Sequence, residues 1–577
     1  MSVILGINAF HAGAAASIII DGVPMIAIPE ERLNRVKNYA GFPTMAIKRC
    51  LKDTGIKYEQ INHVAIGRDK SANIAEKLKY VASNPSKLLN LAKIKSSRSS
   101  IDDMKQLIAQ HCQIDIKRLK FKQHNIEHHI AHIASSFFSS GLDNAAGITI
   151  DGSGDFVSCS MSLCSGSEIE IKKRIYIPHS LGSLYTMVCQ FIGYGKYGDE
   201  GKVMGLAPLG EDSFANELAD MIQLNENGFK LNPKYFLPFG SNQGMSITDD
   251  GEMIVHRHYS DFMIEKFGEP TERHAEITKR DMDLAHSLQK RFEEVYLHLI
   301  NLLADIVPND NLVLAGGCAL NSVANGKIFT NTPYKKTFMH PACGDDGLAV
   351  GAALYVSNSL LNEGVMYKMD DAYLGTEYSD DEIQASLDKY EVSYQKFSRN
   401  DLINKTSDEV INGNVIGWFQ GKMEWGPRAL GNRSIIAHPG LPNMKDTLNS
   451  RIKHRENFRP FAPSILQDYQ DEVFEHNHPS PFMLHVYKIR ESWRDKLSAV
   501  NHVDDTGRLQ TVSPEENLLY YDLIKNFYDK TGIPILLNTS FNENEPVVES
   551  PDSAIECYLR TKMDVLVIGS FYCTKHN

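Results

Sequence analysis

The chain has 577 residues, 42% hydrophobic and 23% charged, enough for two or more domains with real cores. A net charge of -12 argues against a general nucleic-acid binder, whose surface would be basic. No apolar run reaches the ~20 residues of a membrane span, the N-terminus reads as a strand and not a signal peptide, and nine scattered cysteines without a CxxC pair suit a reducing compartment; a cytoplasmic protein is expected. Val3–Asn8 reads as a strand followed by a small-residue loop, Ala9–Ala15, which holds His11. Asp21-Gly22 between two apolar runs then predicts a hairpin. The Lys-rich stretch from Lys77 to Lys122 reads as a solvated helical face.

Glu127-His128-His129-Ile130-Ala131-His132 comes next and continues as a helical pattern through Phe138. His128 and His132 are i, i+4, so both imidazoles share one helix face. The zinc-protease pattern needs Glu after the first histidine; His129 stands there, which excludes it. Ala146–Asp151 reads as a buried strand entering the turn Gly152-Ser153-Gly154-Asp155. Two histidines on a helix and an aspartate at a strand end can converge on one divalent metal. This second strand–Gly-loop–strand unit repeats the design of the first and predicts a duplicated α/β core of the actin-like ATPase (ribonuclease-H-like) kind. Leu312–Asn321, a strand running into paired glycines, and Gly344–Ala353, a helix start with acidic caps, fit that layout, and Asp345 is compatible with a ligand role. A polar, acidic texture near 366–380 predicts a boundary between domains 1–365 and 366–577. Beyond it, Arg428, Arg433, Lys453, Arg455, Arg459 and Arg508 sit in Gly/Pro-rich loops, where cations predict a polyanion site.

Together these motifs resemble the O-carbamoyltransferase family, which modifies nodulation factors, cephalosporin-type and aminoglycoside antibiotics and related metabolites. The match runs nearly end to end and includes Asn8-Ala9-Phe10-His11, Glu30-Glu31-Arg32, His128–His132, Asp151-Gly152, Glu200–Ala207, Gly344-Asp345-Asp346-Gly347, Trp425-Gly426-Pro427-Arg428, Phe458–Pro463 and Asn538–Asn542. Residues from about 70 to 125 carry no motif of the family. The resemblance implies two sites. A C-terminal YrdC-like domain would make carbamoyl adenylate from carbamoyl phosphate and ATP, with Mg2+, using Arg428, Lys453, Arg459, Arg508, Asn538 and Ser540. An N-terminal domain similar to tRNA threonylcarbamoyl transferases would pass the carbamoyl group to a hydroxyl of a small molecule. There His128, His132, Asp151 and Asp345 would ligate Fe(II) or another divalent metal, His11 would act as base, and Lys37 would line the site. Choosing Asp345 over Asp346 rests on the Gly-Asp-x-Gly pattern. A tRNA-modifying enzyme of the threonylcarbamoyl type is the alternative, disfavoured by the acidic charge; a hydrogenase-maturation cousin would need paired zinc-finger cysteines. A nucleotide-dependent switch of the actin type has no use for a His/His/Asp constellation. No nucleic-acid or membrane partner is expected, and a homodimer is.

Overall fold

The structure is a computed structural model describing residues 2–83, 103–237, 245–364 and 367–575. Two expectations touch positions outside these residues: the boundary at 365/366, and 84–102 of the Lys-rich stretch. The chain forms two compact units, Met1–Glu31 with Asn38–Lys368, and Arg32–Lys37 with Met369–Asn577. No helix among the described residues is long and apolar enough to cross a membrane.

The first unit holds two five-stranded sheets. In one, β1 (Val3–Asn8), β2 (Ala15–Ile20) and β3 (Val23–Pro29) form an antiparallel meander. The turn between β2 and β3 has Asp21 at φ 47° and Gly22 at φ 82°, the paired left-handed conformation that Asp-Gly favours. β4 (His63–Ile66) and β5 (Lys122–Asn125) add on parallel to β1, giving the order β3-β2-β1-β4-β5. Helix α1 (His128–Phe137) follows. The second sheet repeats the plan. β6 (Asn144–Gly154), β7 (Val157–Ser165) and β8 (Glu168–Tyr176) form the meander. After the long helix α2 (Lys279–Ile306), β9 (Asn311–Ala315) and β10 (Lys336–Met339) extend it in parallel, in the order β10-β9-β6-β7-β8. Two copies of one strand order make this the duplicated ribonuclease-H-like core of actin-like proteins.

The copies exchange helices. α1 leaves the first sheet and packs on β6 and β9, while α3 (Leu348–Tyr355) leaves the second and packs on β1, β2 and β4. α3 is apolar on all sides, Leu-Ala-Val-Gly-Ala-Ala-Leu-Tyr, as a helix buried between layers must be. Ser136 Oγ on α1 donates to Leu314 O at 2.6 Å, and Ser17 Oγ on β2 donates to Ala349 O on α3 at 3.0 Å. Where α1 and α3 meet, a Cβ on Gly351 would lie 1.9 Å from Ala131 O. That approach sets the helix spacing.

The second unit is built on one nine-stranded sheet. Its strands are β11 (Tyr394–Lys396), β12 (Ile416–Phe419), β13 (Arg433–Ala437), β14 (Ala462–Leu466), β15 (His485–Lys488), β16 (Thr506–Val512), β17 (Ile535–Ser540), β18 (Val565–Ile568) and β19 (Phe571–Thr574). They lie in the order β11-β19-β18-β12-β13-β17-β14-β16-β15. Alternate residues feed opposite cores. Trp418, Ile436, Leu536 and Val567 join helices Arg399–Ile411 and Pro514–Thr531 on one face; Phe419, Ile435, Leu537 and Leu566 join helix Pro551–Arg560 on the other. Covering both faces explains why a central strand such as β18, Val-Leu-Val-Ile, is buried along its whole length.

Gly351→Ala forces α1 and α3 apart. It is expected to destabilise the protein by about 3 kcal/mol, read as a lowered thermal midpoint with no change in the isolated chemistry of the ligating residues.

Candidate metal and anion sites

In the first unit His128, His132, Asp151 and Asp345 each turn one ligand atom into a common space, all within 4.8 Å of one another. His128 Nε2 lies 3.1 Å from His132 Nε2, 3.4 Å from Asp151 Oδ2 and 3.6 Å from Asp345 Oδ1. His132 Nε2 is 3.4 Å from Asp345 Oδ1 and 3.9 Å from Asp151 Oδ2. Four donors about 2.1 Å from a tetrahedral ion have edges of roughly 3.4 Å, so the spacing fits one divalent cation. The donor set, two imidazoles and two carboxylates, suits first-row divalent metals including Fe2+, Mn2+ and Zn2+. Asp345 Oδ1 is buried and takes no aligned hydrogen bond, as a ligand oxygen would be.

Each side chain is delivered by its element. The i, i+4 spacing puts His128 and His132 on one face of α1. His129 points elsewhere: its Nε2 donates to Val157 O at 3.0 Å and its Nδ1 accepts from Thr149 Oγ1 at 2.7 Å, which makes it a neutral tie to β6 and β7. The β6–β7 ladder breaks between Ile150 and Gly154, and this irregularity releases Asp151 from the sheet. Gly317 N–H, just past β9, fixes Asp151 by donating to Oδ1 at 2.7 Å, which leaves Oδ2 for the histidines. A Cβ on Gly154 would lie 2.0 Å from the His128 ring, so only glycine leaves room for that imidazole. Asp345, and not Asp346, joins the group, from the short turn ahead of α3.

The site favours positive charge. Burial pulls the His128 imidazolium down, but the Asp151 and Asp345 carboxylates outweigh it and hold it up at about 9. Burial alone would raise Asp345; His11, His132 and His128 hold it well below the usual carboxylate range. His11 Nδ1 lies 2.6 Å from Asp345 Oδ2, with its side chain 30% exposed. One carboxylate thus faces the ligand group through Oδ1 and His11 through Oδ2. Lys37 is not part of this group: it is exposed, in the segment Arg32–Lys37 that clusters with the second unit. Glu30 and Glu31 are structural: Glu30 caps the helix Thr44–Thr54 by accepting from Met45 and Ala46 N–H, and Glu31 accepts from Asn38 N–H.

In the second unit, cations crowd together. Burial, then Arg428, Arg455 and Arg459, drives the Arg508 guanidinium well below its ordinary range. Burial, then Arg459, brings Arg455 down to about 9. Lys453 is 2% exposed and donates to Ser540 O (2.6 Å), Asn542 O (2.7 Å) and Asn542 Oδ1 (2.8 Å). Ser540 Oγ donates to Asn542 Oδ1. Asn538 Nδ2 braces the Arg428 loop through Ala429 O at 3.1 Å. Guanidiniums that depress one another suit a multiply charged anion. Arg433 leaves the expected set: it is fully buried, donates to Gln420 O, Gly421 O and Thr376 O, and stacks 3.7 Å over Phe419. Sequence reading missed Glu424, whose Oε1 accepts from Leu430, Asn432 and Arg433 N–H and knits the loop presenting Arg428.

The fold and the ligand group define an actin-like core carrying a His/His/Asp/Asp site. Residues 3–354 match the family model for the carbamoyltransferase N-terminus and residues 407–575 that for the carbamoyltransferase C-terminus. The chain belongs to the carbamoyltransferase family and is a carbamoyltransferase. An uncharacterized protein of Synechocystis sp. is 36% identical over 611 aligned positions, covering 100% of this chain and 97% of that protein. Nodulation protein NolNO of Sinorhizobium fredii is 35% identical over 98% of this chain and 80% of its own. Among solved structures, full-length HypF in a phosphate- and nucleotide-bound form is 12% identical, with a TM-score of 0.31 over 64% of this chain and 56% of that one; this likeness adds nothing to the fold its strand orders define.

His132→Ala is expected to abolish stoichiometric divalent-metal binding, measured by elemental analysis after dialysis, with the circular dichroism spectrum unchanged. Gly154→Ala displaces His128 and is expected to weaken metal affinity about 10–100-fold, comparable to losing a supporting contact.

Proposed function

We propose that the protein is an ATP-dependent O-carbamoyltransferase. The second unit makes carbamoyl adenylate from carbamoyl phosphate and ATP, and the first transfers the carbamoyl group to a hydroxyl of a small molecule. The reading is carried by the Asp345 carboxylate, shared between His11 and the ligand group. Membership of the carbamoyltransferase family supports it.

Two carbamates in sequence explain the two sites. Alcohols are poor nucleophiles, and AMP is a good leaving group. Arg428, Arg455, Arg459 and Arg508 neutralise the phosphates of both substrates, with Lys453 held among the Ser540 and Asn542 oxygens beside them. The stoichiometry needs one water: carbamoyl phosphate yields carbamate and phosphate, and a carbamate oxygen then takes the α-phosphorus of ATP as pyrophosphate leaves. In the first unit, His128, His132, Asp151 and Asp345 would hold a divalent metal, which when bound supplies Lewis-acid polarisation worth several kcal/mol. His11 Nδ1 lies 2.6 Å from Asp345 Oδ2, so the carboxylate sits against one ring nitrogen and Nε2 is the nitrogen that would face the acceptor. His11 Nε2 takes the proton of the acceptor hydroxyl as its oxygen attacks the carbamoyl carbon, for roughly 10²–10⁴-fold. The imidazolium formed is stabilised by Asp345.

Purified protein is expected to form AMP only with both ATP and carbamoyl phosphate; ADP formation, or indifference to carbamoyl phosphate, contradicts the reading. His128→Ala should lose carbamoyl transfer while still making adenylate, followed by exchange of labelled pyrophosphate into ATP. Arg459→Ala should show the reverse, losing the exchange.

A further inference from the structure

Arg68 lies two residues past β4, at the same C-terminal strand ends from which His11 follows β1 and His128 follows β5. In open α/β sheets that edge is where ligands bind. Gly67, one residue before, packs against Ala131 on α1, between the two metal-facing histidines; a Cβ there would lie 3.3 Å from the Ala131 Cβ. The loop bearing Arg68 is strapped to the β6–β7 turn. Asp69 N–H donates to Asp155 Oδ2 at 2.8 Å, and the same oxygen accepts from His128 N–H at 3.0 Å. Asn73 Nδ2 donates to Asp155 O at 3.0 Å, and Arg174 Nη1 donates to Asn73 Oδ1 at 3.0 Å. Arg174 also pairs with Glu127, the N-cap of α1, at 3.1 Å.

Every other polar member of this frame is engaged. Arg68 is half-buried, and among the described residues it donates no hydrogen bond and closes no ion pair. Burial pulls its guanidinium below the ordinary range, and the Asp155 carboxylate, whose Oδ2 takes two backbone N–H groups, only partly offsets this. A half-buried, unpaired charge is unfavourable unless something completes it. An arginine placed at the end of a ligand-edge strand can offer its fork to a carboxylate or phosphate.

We propose that Arg68 anchors an anionic group of the acceptor, so that the carbamoylated molecule is a hydroxylated acid: a sugar acid, sugar phosphate or hydroxy-carboxylate. This rests on the O-carbamoyltransferase reading. The acceptor is favoured over the adenylate phosphate because Arg68 shares its sheet edge with His11, which takes the acceptor's proton.

The test uses the full-length protein with ATP, carbamoyl phosphate and a fractionated cell extract, with products followed by mass spectrometry. The carbamoylated products are expected to carry a carboxylate or phosphate. Arg68→Ala should raise the KM for the purified acceptor about 10–100-fold, as for a lost charge-assisted contact, and Arg68→Lys should restore part of it. Slow AMP release without acceptor should be the same in all three proteins. Neutral or cationic products, or an unchanged acceptor KM in Arg68→Ala, overturn the inference. Loss of acceptor-free AMP release in Arg68→Ala also overturns it, by assigning the guanidinium to the adenylate phosphate. Absence of AMP formation by the wild-type protein would instead remove the O-carbamoyltransferase reading itself.

Discussion

Two carboxylates held within 4.8 Å of each other in a buried site are the constraint on which the first unit depends. At an effective dielectric of about 20 their repulsion is about 3.5 kcal/mol. Two imidazoles on one helix face relieve it, and one of them retains its proton well above its ordinary range because of those carboxylates. The arrangement is complementary to positive charge, and a divalent ion supplies more of that charge than a proton does.

The duplicated fold makes this possible. Each half-sheet ends its mutually parallel strands at one edge, and the halves swap helices, so ligands far apart in sequence converge. α1 contributes two, the broken end of β6 a third, and the turn before α3 the fourth. The close approach of α1 and α3 at Gly351 keeps the contributions in register. Asp345 links structure to chemistry because its second oxygen lies 2.6 Å from His11 Nδ1.

Much of this was legible in the sequence because it is local. The i, i+4 histidines, the Asp-Gly hairpin and the strand–Gly-loop repeat depend on neighbours within a few residues. What escaped is non-local. Arg433 and Arg455 read alike in sequence, yet Arg433 opens β13 with its guanidinium enclosed by carbonyls, while Arg455, over Phe461, lies close enough to Arg459 to be depressed by it; residue type cannot tell them apart. Arg32–Lys37 clusters with the second unit although it lies near the N-terminus, with Arg35 donating to Pro546 O and Val547 O. No spacing rule announces that. Arg68 is conspicuous only because its neighbours all found partners and it did not.

The most direct test is X-ray absorption at the metal edge of protein loaded with one equivalent of Fe2+. The account predicts a nitrogen and oxygen shell containing two imidazoles, with the imidazole scattering halved in His132→Ala. A shell without imidazole, or one indifferent to that substitution, would contradict it.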